Sequence, residues 1–109
     1  MIKAKSAKAK GRRLEQWIVK QLESLGLAAH RQPGSGAFDA FPHDVSARLK
    51  DGTQILVEAK QRKKDAWATG ERWLGRADVL VVRIDPEPFQ PENEPRVYMK
   101  WSTFQRLVG

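Results

Sequence analysis

Three side chains between residues 44 and 60 could do chemistry together: Asp44, Glu58 and Lys60. Two neighbouring carboxylates repel unless a cation lies between them. A hard cation such as Mg²⁺ takes oxygen ligands, usually one or two protein carboxylates with waters and a substrate phosphate. A lysine beside such a site can orient or deprotonate a water, or stabilise charge developing on a phosphate. These are the parts that metal-assisted phosphodiester hydrolysis requires. Glu-x-Lys by itself is common, and more often an ordinary pair on a solvated strand face. The pattern gains meaning only if the chain brings Asp44 to Glu58.

The intervening residues decide that. Residues 44–49 and 53–60 both alternate polar and apolar, the period of half-buried strands, and Lys50-Asp51-Gly52 lies between them. A two-residue Asp51-Gly52 turn would set Val45 against Glu58 and mix the faces. A three-residue Lys50-Asp51-Gly52 loop places Gly52 at the left-handed position such a loop needs. It pairs Leu49 with Thr53, Arg48 with Gln54 and Asp44 with Glu58. Val45, Ala47, Leu49, Ile55, Val57 and Ala59 then share one face. Asp44, Ser46, Arg48, Gln54, Glu58 and Lys60 share the other. The second register gives one clean core face, and a one-residue slip would destroy it.

The chain of 109 residues is sized for one domain with a single core. It holds no cysteine, which excludes disulfides and thiolate metal sites and is compatible with a reducing cytoplasm. No apolar run nears the roughly 20 residues of a membrane span. The net charge of +7 favours a polyanionic partner, nucleic acid before membrane. Six bases from Lys3 to Arg13 precede any acid, whereas Asp85, Glu87, Glu92 and Glu94 cluster in a proline-rich stretch.

Residues 1–7 read as a flexible basic lead-in. A helix is expected from Lys8 to Leu25, ended by Gly26, with Leu14, Trp17, Ile18, Leu22 and Leu25 at helical spacing. Glu15 borders that stripe; on the residues alone it reads as a surface glutamate paired with a nearby base. Leu27–Arg31 reads as a short strand, followed by a loop containing Gly34-Ser35-Gly36, which could approach a phosphate but is more often a turn. His43 reads as a surface residue. A helix is expected from Asp65, as N-cap, to Gly75, with Trp67 and Trp73 in the core. Val79–Ile84 reads as a continuous apolar, buried central strand. Pro86–Pro95 reads as a loop, Arg96–Trp101 as a strand, and Ser102 as the cap of a last helix carrying Phe104, Leu107 and Val108. The order is helix, three strands, helix, two strands, helix: an α/β fold with a mixed β-sheet flanked by helices.

Gly11-Arg12-Arg13-x-Glu15 opening the first helix, Gly34-Ser35-Gly36 after the first strand, Asp44-Val45 and Glu58-Ala59-Lys60 at the two ends of the hairpin together resemble the restriction-endonuclease-like PD-(D/E)XK nucleases. More narrowly they resemble the small Holliday-junction resolvases of archaea and phages, from Lys10 to about Asp85. The family's proline directly before the metal aspartate is replaced here by His43. The resemblance implies that Asp44, Glu58 and the Ala59 carbonyl ligate Mg²⁺, with Mn²⁺ able to substitute, and that Glu15 joins the metal shell. It implies that Lys60 positions water or stabilises the transition state and that Ser35 sits at the scissile strand. DNA contacts are expected from Lys10, Arg12, Arg13, Gly34, Ser35, Arg62, Lys63 and Lys64. It also implies a homodimer cutting four-way DNA junctions symmetrically, and Val79–Ile84, Trp67, Trp73 and the last helix are the candidate interface elements. Two other readings compete: a related nuclease acting on flaps, ends or duplex, and a non-catalytic DNA-binding protein. Against the second, an acidic pair on a basic polar face would repel DNA without a metal.

Overall fold

The computed structural model describes residues 2–32, 44–63, 70–85 and 94–109. The elements follow the expected order: α1 (Ile2–Ser24), β1 (Ala28–Arg31), β2 (Val45–Arg48), β3 (Gln54–Arg62), α2 (Gly70–Leu74), β4 (Val79–Ile84), β5 (Arg96–Met99) and α3 (Trp101–Val108). The five strands form one sheet in the order β1-β2-β3-β4-β5. Only β3 and β4 run parallel, and α2 lies on the crossover between them.

The hairpin has the three-residue loop. Val45 pairs with Val57 and Arg48 with Gln54. Leu49 N–H donates to the Thr53 carbonyl at 2.8 Å and Gly52 N–H to the Leu49 carbonyl at 2.9 Å. Gly52 has φ +93°, the left-handed conformation that favours glycine. Nothing lies within 4 Å of where its Cβ would be, so Gly52→Ala meets backbone strain alone. Denaturant unfolding is expected to show a loss of about 1 kcal/mol with the fold unchanged.

The core has two layers. On one face of the sheet, Leu14 and Ile18 of α1 pack on Val45, Ile55, Val57, Val79 and Val81, with Trp17 and Leu22 at the margin. On the other, Leu74 and Trp73 of α2 pack on Leu80, Val82 and Tyr98. The face expected to be polar is therefore partly covered. Ser46 is buried, and its hydroxyl accepts a hydrogen bond from Gln54 Nε2 at 2.9 Å.

Several boundaries differ from expectation. α1 begins at Ile2, not Lys8. The alanines and lysines of residues 3–9 favour helix, and Gly11 within it does not stop it. Leu25 lies past the helix end and is exposed, because Gly26, at φ +89°, turns the chain away from the apolar stripe. β5 stops at Met99, and α3 takes Lys100 rather than Ser102 as its N-cap, with no side-chain capping bond. Trp101 is thus the first residue of α3, exposed, and not on the strand face with Val97 and Met99. β4 is not uniformly apolar, since buried Arg83 interrupts it. The expected Asp65 cap, Trp67 and nearly all of the Pro86–Pro95 loop lie outside the described residues; α2 is described from Gly70.

Candidate active site

β2 and β3 bring the acidic pair together. Asp44 stands at the foot of β2, where its N–H donates to the Val57 carbonyl and its own carbonyl accepts from Gln32 N–H, both at 3.0 Å. Its Oδ2 accepts from the Ala59 N–H at 2.8 Å, which turns the carboxylate toward β3. Glu58 is in side-chain contact with Asp44, and its Oε2 is 3.5 Å from Lys60 Nζ. The parallel register sets Glu58 against Leu80 and Lys60 against Val82, so both side chains share the face that α2 partly covers.

The electrostatics show strain in the pair. Burial and then the Asp44 charge push the Glu58 carboxyl up to about 7, against the opposing pull of Lys60. Glu15 is also raised, first by burial. A hydrogen bond from Arg31 opposes that rise, and the Asp44 charge adds to it. Arg31 Nε lies 2.9 Å from Glu15 Oε1. Glu15 thus has the basic partner that the sequence suggested, and yet it faces Asp44. Among the described residues, no group of three acids, histidines or cysteines is placed to hold a metal ion by itself. The compact donor set is the pair Asp44 and Glu58, with the Ala59 backbone between β2 and Lys60.

The expected DNA contacts divide. Arg12 and Arg13 on α1 and Lys63 after β3 are exposed; Arg62 is half-buried, its guanidinium 5.0 Å from the Trp73 ring centre. Lys10 is engaged elsewhere, its Nζ 3.2 Å from Asp85 Oδ2. Gly34, Ser35, His43 and Lys64 lie outside the described residues.

One polar chain escaped the sequence reading. Arg83 Nε donates to Gln61 Oε1 at 2.8 Å, and Gln61 Nε2 donates to Asp85 Oδ1 at 2.7 Å. With Lys10 on the other carboxylate oxygen, this ties α1 to the ends of β3 and β4. Burial alone would raise Asp85, but the hydrogen bonds from Gln61 and Lys10 and the nearby lysine charges hold it below its ordinary value. The available signal was one arginine inside an apolar strand, since a buried charge needs a partner.

Comparison with known proteins places the chain in a family. Residues 6–70, more than half the chain, match the family model described as archaeal Holliday junction resolvase (hjc). The chain belongs to the Hjc family. The matched span holds Glu15, Asp44, Glu58, Ala59 and Lys60. The Hjc of Sulfolobus acidocaldarius, named a crossover junction endodeoxyribonuclease, is 45% identical over 60 residues, covering 53% of this chain and 41% of the relative. The Hjc of Sulfurisphaera tokodaii, of the same name, is 43% identical over 60 residues, covering 53% and 40%. The matched part is thus about two fifths of the length of these relatives. The solved structure of Hjc from Archaeoglobus fulgidus, a Holliday junction resolvase, aligns with a TM-score of 0.56 at 24% identity, covering 80% of this chain and 73% of that one. That likeness shows the Hjc fold, the mixed sheet with flanking helices described above.

Proposed function

We propose that this Hjc-family chain is a divalent-metal-dependent DNA endonuclease that resolves four-way junctions as a homodimer in the cytoplasm. The observation that carries the proposal is the contact of Asp44 with Glu58, with Lys60 3.5 Å away on the same face. Two carboxylates held together at the cost of raising one of them are a donor set suited to a hard cation. Asp44, Glu58 and the Ala59 carbonyl would hold Mg²⁺, or Mn²⁺ in its place. Glu15, hydrogen-bonded to Arg31, would act from the outer shell through water. The bound ion would neutralise phosphate charge and make a bound water more acidic.

This chain's own residues supply the rest. Lys60 places its amine 3.5 Å from Glu58 Oε2, where it can orient the attacking water and stabilise the pentavalent transition state. Arg12, Arg13 and Lys63 present charge to the phosphate backbone, and Gly34 and Ser35 would approach the scissile strand. The products would carry a 5′-phosphate and a 3′-hydroxyl. Backbone contacts carry no base information, so junction shape would select the substrate.

The experiment is cleavage of a synthetic four-way junction in Mg²⁺ beside linear duplex, flap and single strand. Paired nicks in opposing junction strands are expected. Preference for flaps or duplex would keep the nuclease and discard junction specificity, and tight binding without metal-dependent cutting would leave a DNA-binding module. Lys60→Ala is expected to lower turnover about 100-fold with little change in junction affinity. Near-normal turnover would remove Lys60 from the mechanism.

A further inference from the structure

The half of β3 that carries Glu58 and Lys60 is paired differently from the rest. Among the described residues, β2 pairs with β3 no further than Val57. Residues 58–62 pair with β4, where they face residues 80–84. Past Val57, the β2 side reaches β3 through the bond from Ala59 N–H to Asp44 Oδ2 at 2.8 Å. Catalytic side chains must be held within about 0.5 Å of their productive places by neighbours that are themselves locked. The lock on Lys60 therefore has to come from somewhere other than β2.

The two residues after Lys60 are pinned from both faces of the sheet. On the α1 face, Gln61 stands opposite Arg83. Its Oε1 accepts from Arg83 Nε at 2.8 Å, and its Nε2 donates to Asp85 Oδ1 at 2.7 Å. Lys10 of α1 lies 3.2 Å from the other Asp85 oxygen, and Asp85 N–H donates to the Arg62 carbonyl at 2.7 Å. On the α2 face, the Arg62 guanidinium lies 5.0 Å from the Trp73 ring centre. Lys60 thus stands between two fixed neighbours: Ala59, tied to Asp44, and Gln61, tied to Arg83 and Asp85.

Stability does not account for this chain of bonds. Arg83 is only 4% exposed, and Val81, two residues earlier on the same face, is an ordinary core residue. Burying a guanidinium is costly, and well-packed apolar side chains in place of such a network are often neutral or stabilising. What the polar chain adds is a unique arrangement. The oxygen and the nitrogen of the Gln61 amide each have a partner, so the side chain cannot turn over, and a fully satisfied buried network is rigid.

We infer that Gln61, Arg83 and Asp85 are positioning residues, which hold the end of β3 so that Lys60 stays beside Glu58. The inference rests on the nuclease reading above and assigns the residues that act through Lys60 rather than on DNA.

The test is single-turnover cleavage of the four-way junction in Mg²⁺. Gln61→Met combined with Arg83→Met removes the chain without leaving a buried charge unpaired. Its rate is expected to fall about tenfold or more, with junction affinity and the urea midpoint little changed. Amide hydrogen exchange, which needs no substrate, is expected to quicken at residues 59–62 and not at Val57 or Leu80. A second pair of variants keeps the chain polar. Gln61→Glu alone still accepts from Arg83 but sets two carboxylates together, and its rate is expected to fall as well. Adding Asp85→Asn supplies a nitrogen that donates to the new carboxylate and an oxygen that still accepts from Lys10. This reversal of the middle bond is expected to recover most of the rate, which a merely bulk-filling role could not produce. A folded double-methionine variant that cuts at the wild-type rate would overturn the inference, and so would a reversal that recovers nothing. A wild type that cuts no DNA would bring down the nuclease reading and this inference with it.

Discussion

Asp44→Asn is expected to abolish cleavage while leaving the fold and DNA binding in place. The Asp44 side chain accepts a hydrogen bond from Ala59 N–H at 2.8 Å, and an asparagine carbonyl oxygen can accept the same bond. The backbone bonds of Asp44 to Val57 and Gln32 do not involve the side chain. The substitution therefore removes a charge without removing a support. A hard cation loses one of two anionic ligands, and the several kcal/mol that such an ion contributes to a phosphoryl transition state correspond to about 1,000-fold or more in rate. Binding moves the other way, because one negative charge no longer faces the phosphates. Single-turnover cleavage and junction affinity, measured on the same preparation, separate these effects. Loss of affinity alongside loss of rate would count against a ligand role for Asp44.

The site was legible because its geometry is local. The hairpin register followed from alternation plus one glycine, and that register alone sets Asp44 beside Glu58. Order and type of every element were likewise readable, since each depends on periodicity over its own residues. What failed depended on distant partners. Ser46 looked solvent-facing because the sequence does not say that α2 covers the second face of the sheet. Arg83 was absorbed into an apolar strand because Gln61, which accepts its hydrogen bond, comes from the neighbouring strand β3. Trp101 was assigned to β5 because an alternating pattern continued one residue past the point where the chain coils. For Glu15 the sequence offered two readings, an ion pair or a place at the site. The fold joins them, since Arg31 bonds Glu15 from the end of β1 and the charge of Asp44, just before β2, acts on the same carboxyl.

Glu58→Gln carries a second large effect, visible without any substrate. In the metal-free protein the Glu58 carboxyl sits near 7, against an ordinary value of 4.5, chiefly because of burial and then because of Asp44. The folded chain therefore holds this proton more tightly than the unfolded chain. The stability that follows is fully present below about 4.5 and is lost as pH rises through 7. Glutamine at this position is neutral throughout. The variant should match the wild type at pH 4 and gain on it as pH rises, levelling above pH 7, by on the order of 1–2 kcal/mol once solvent access to the pair is allowed for. Mg²⁺ should reverse the order at pH 8. An ion that binds the native pair stabilises the wild type by mass action, while the glutamine variant, with one anionic ligand, gains far less. Urea unfolding at several pH values, in chelator and then in excess Mg²⁺, reads both signs. A wild type that tracks the variant at every pH would mean that the pair is not strained. Equal stabilisation of both proteins by Mg²⁺ would place the ion away from Glu58, and with it the hydrolytic centre.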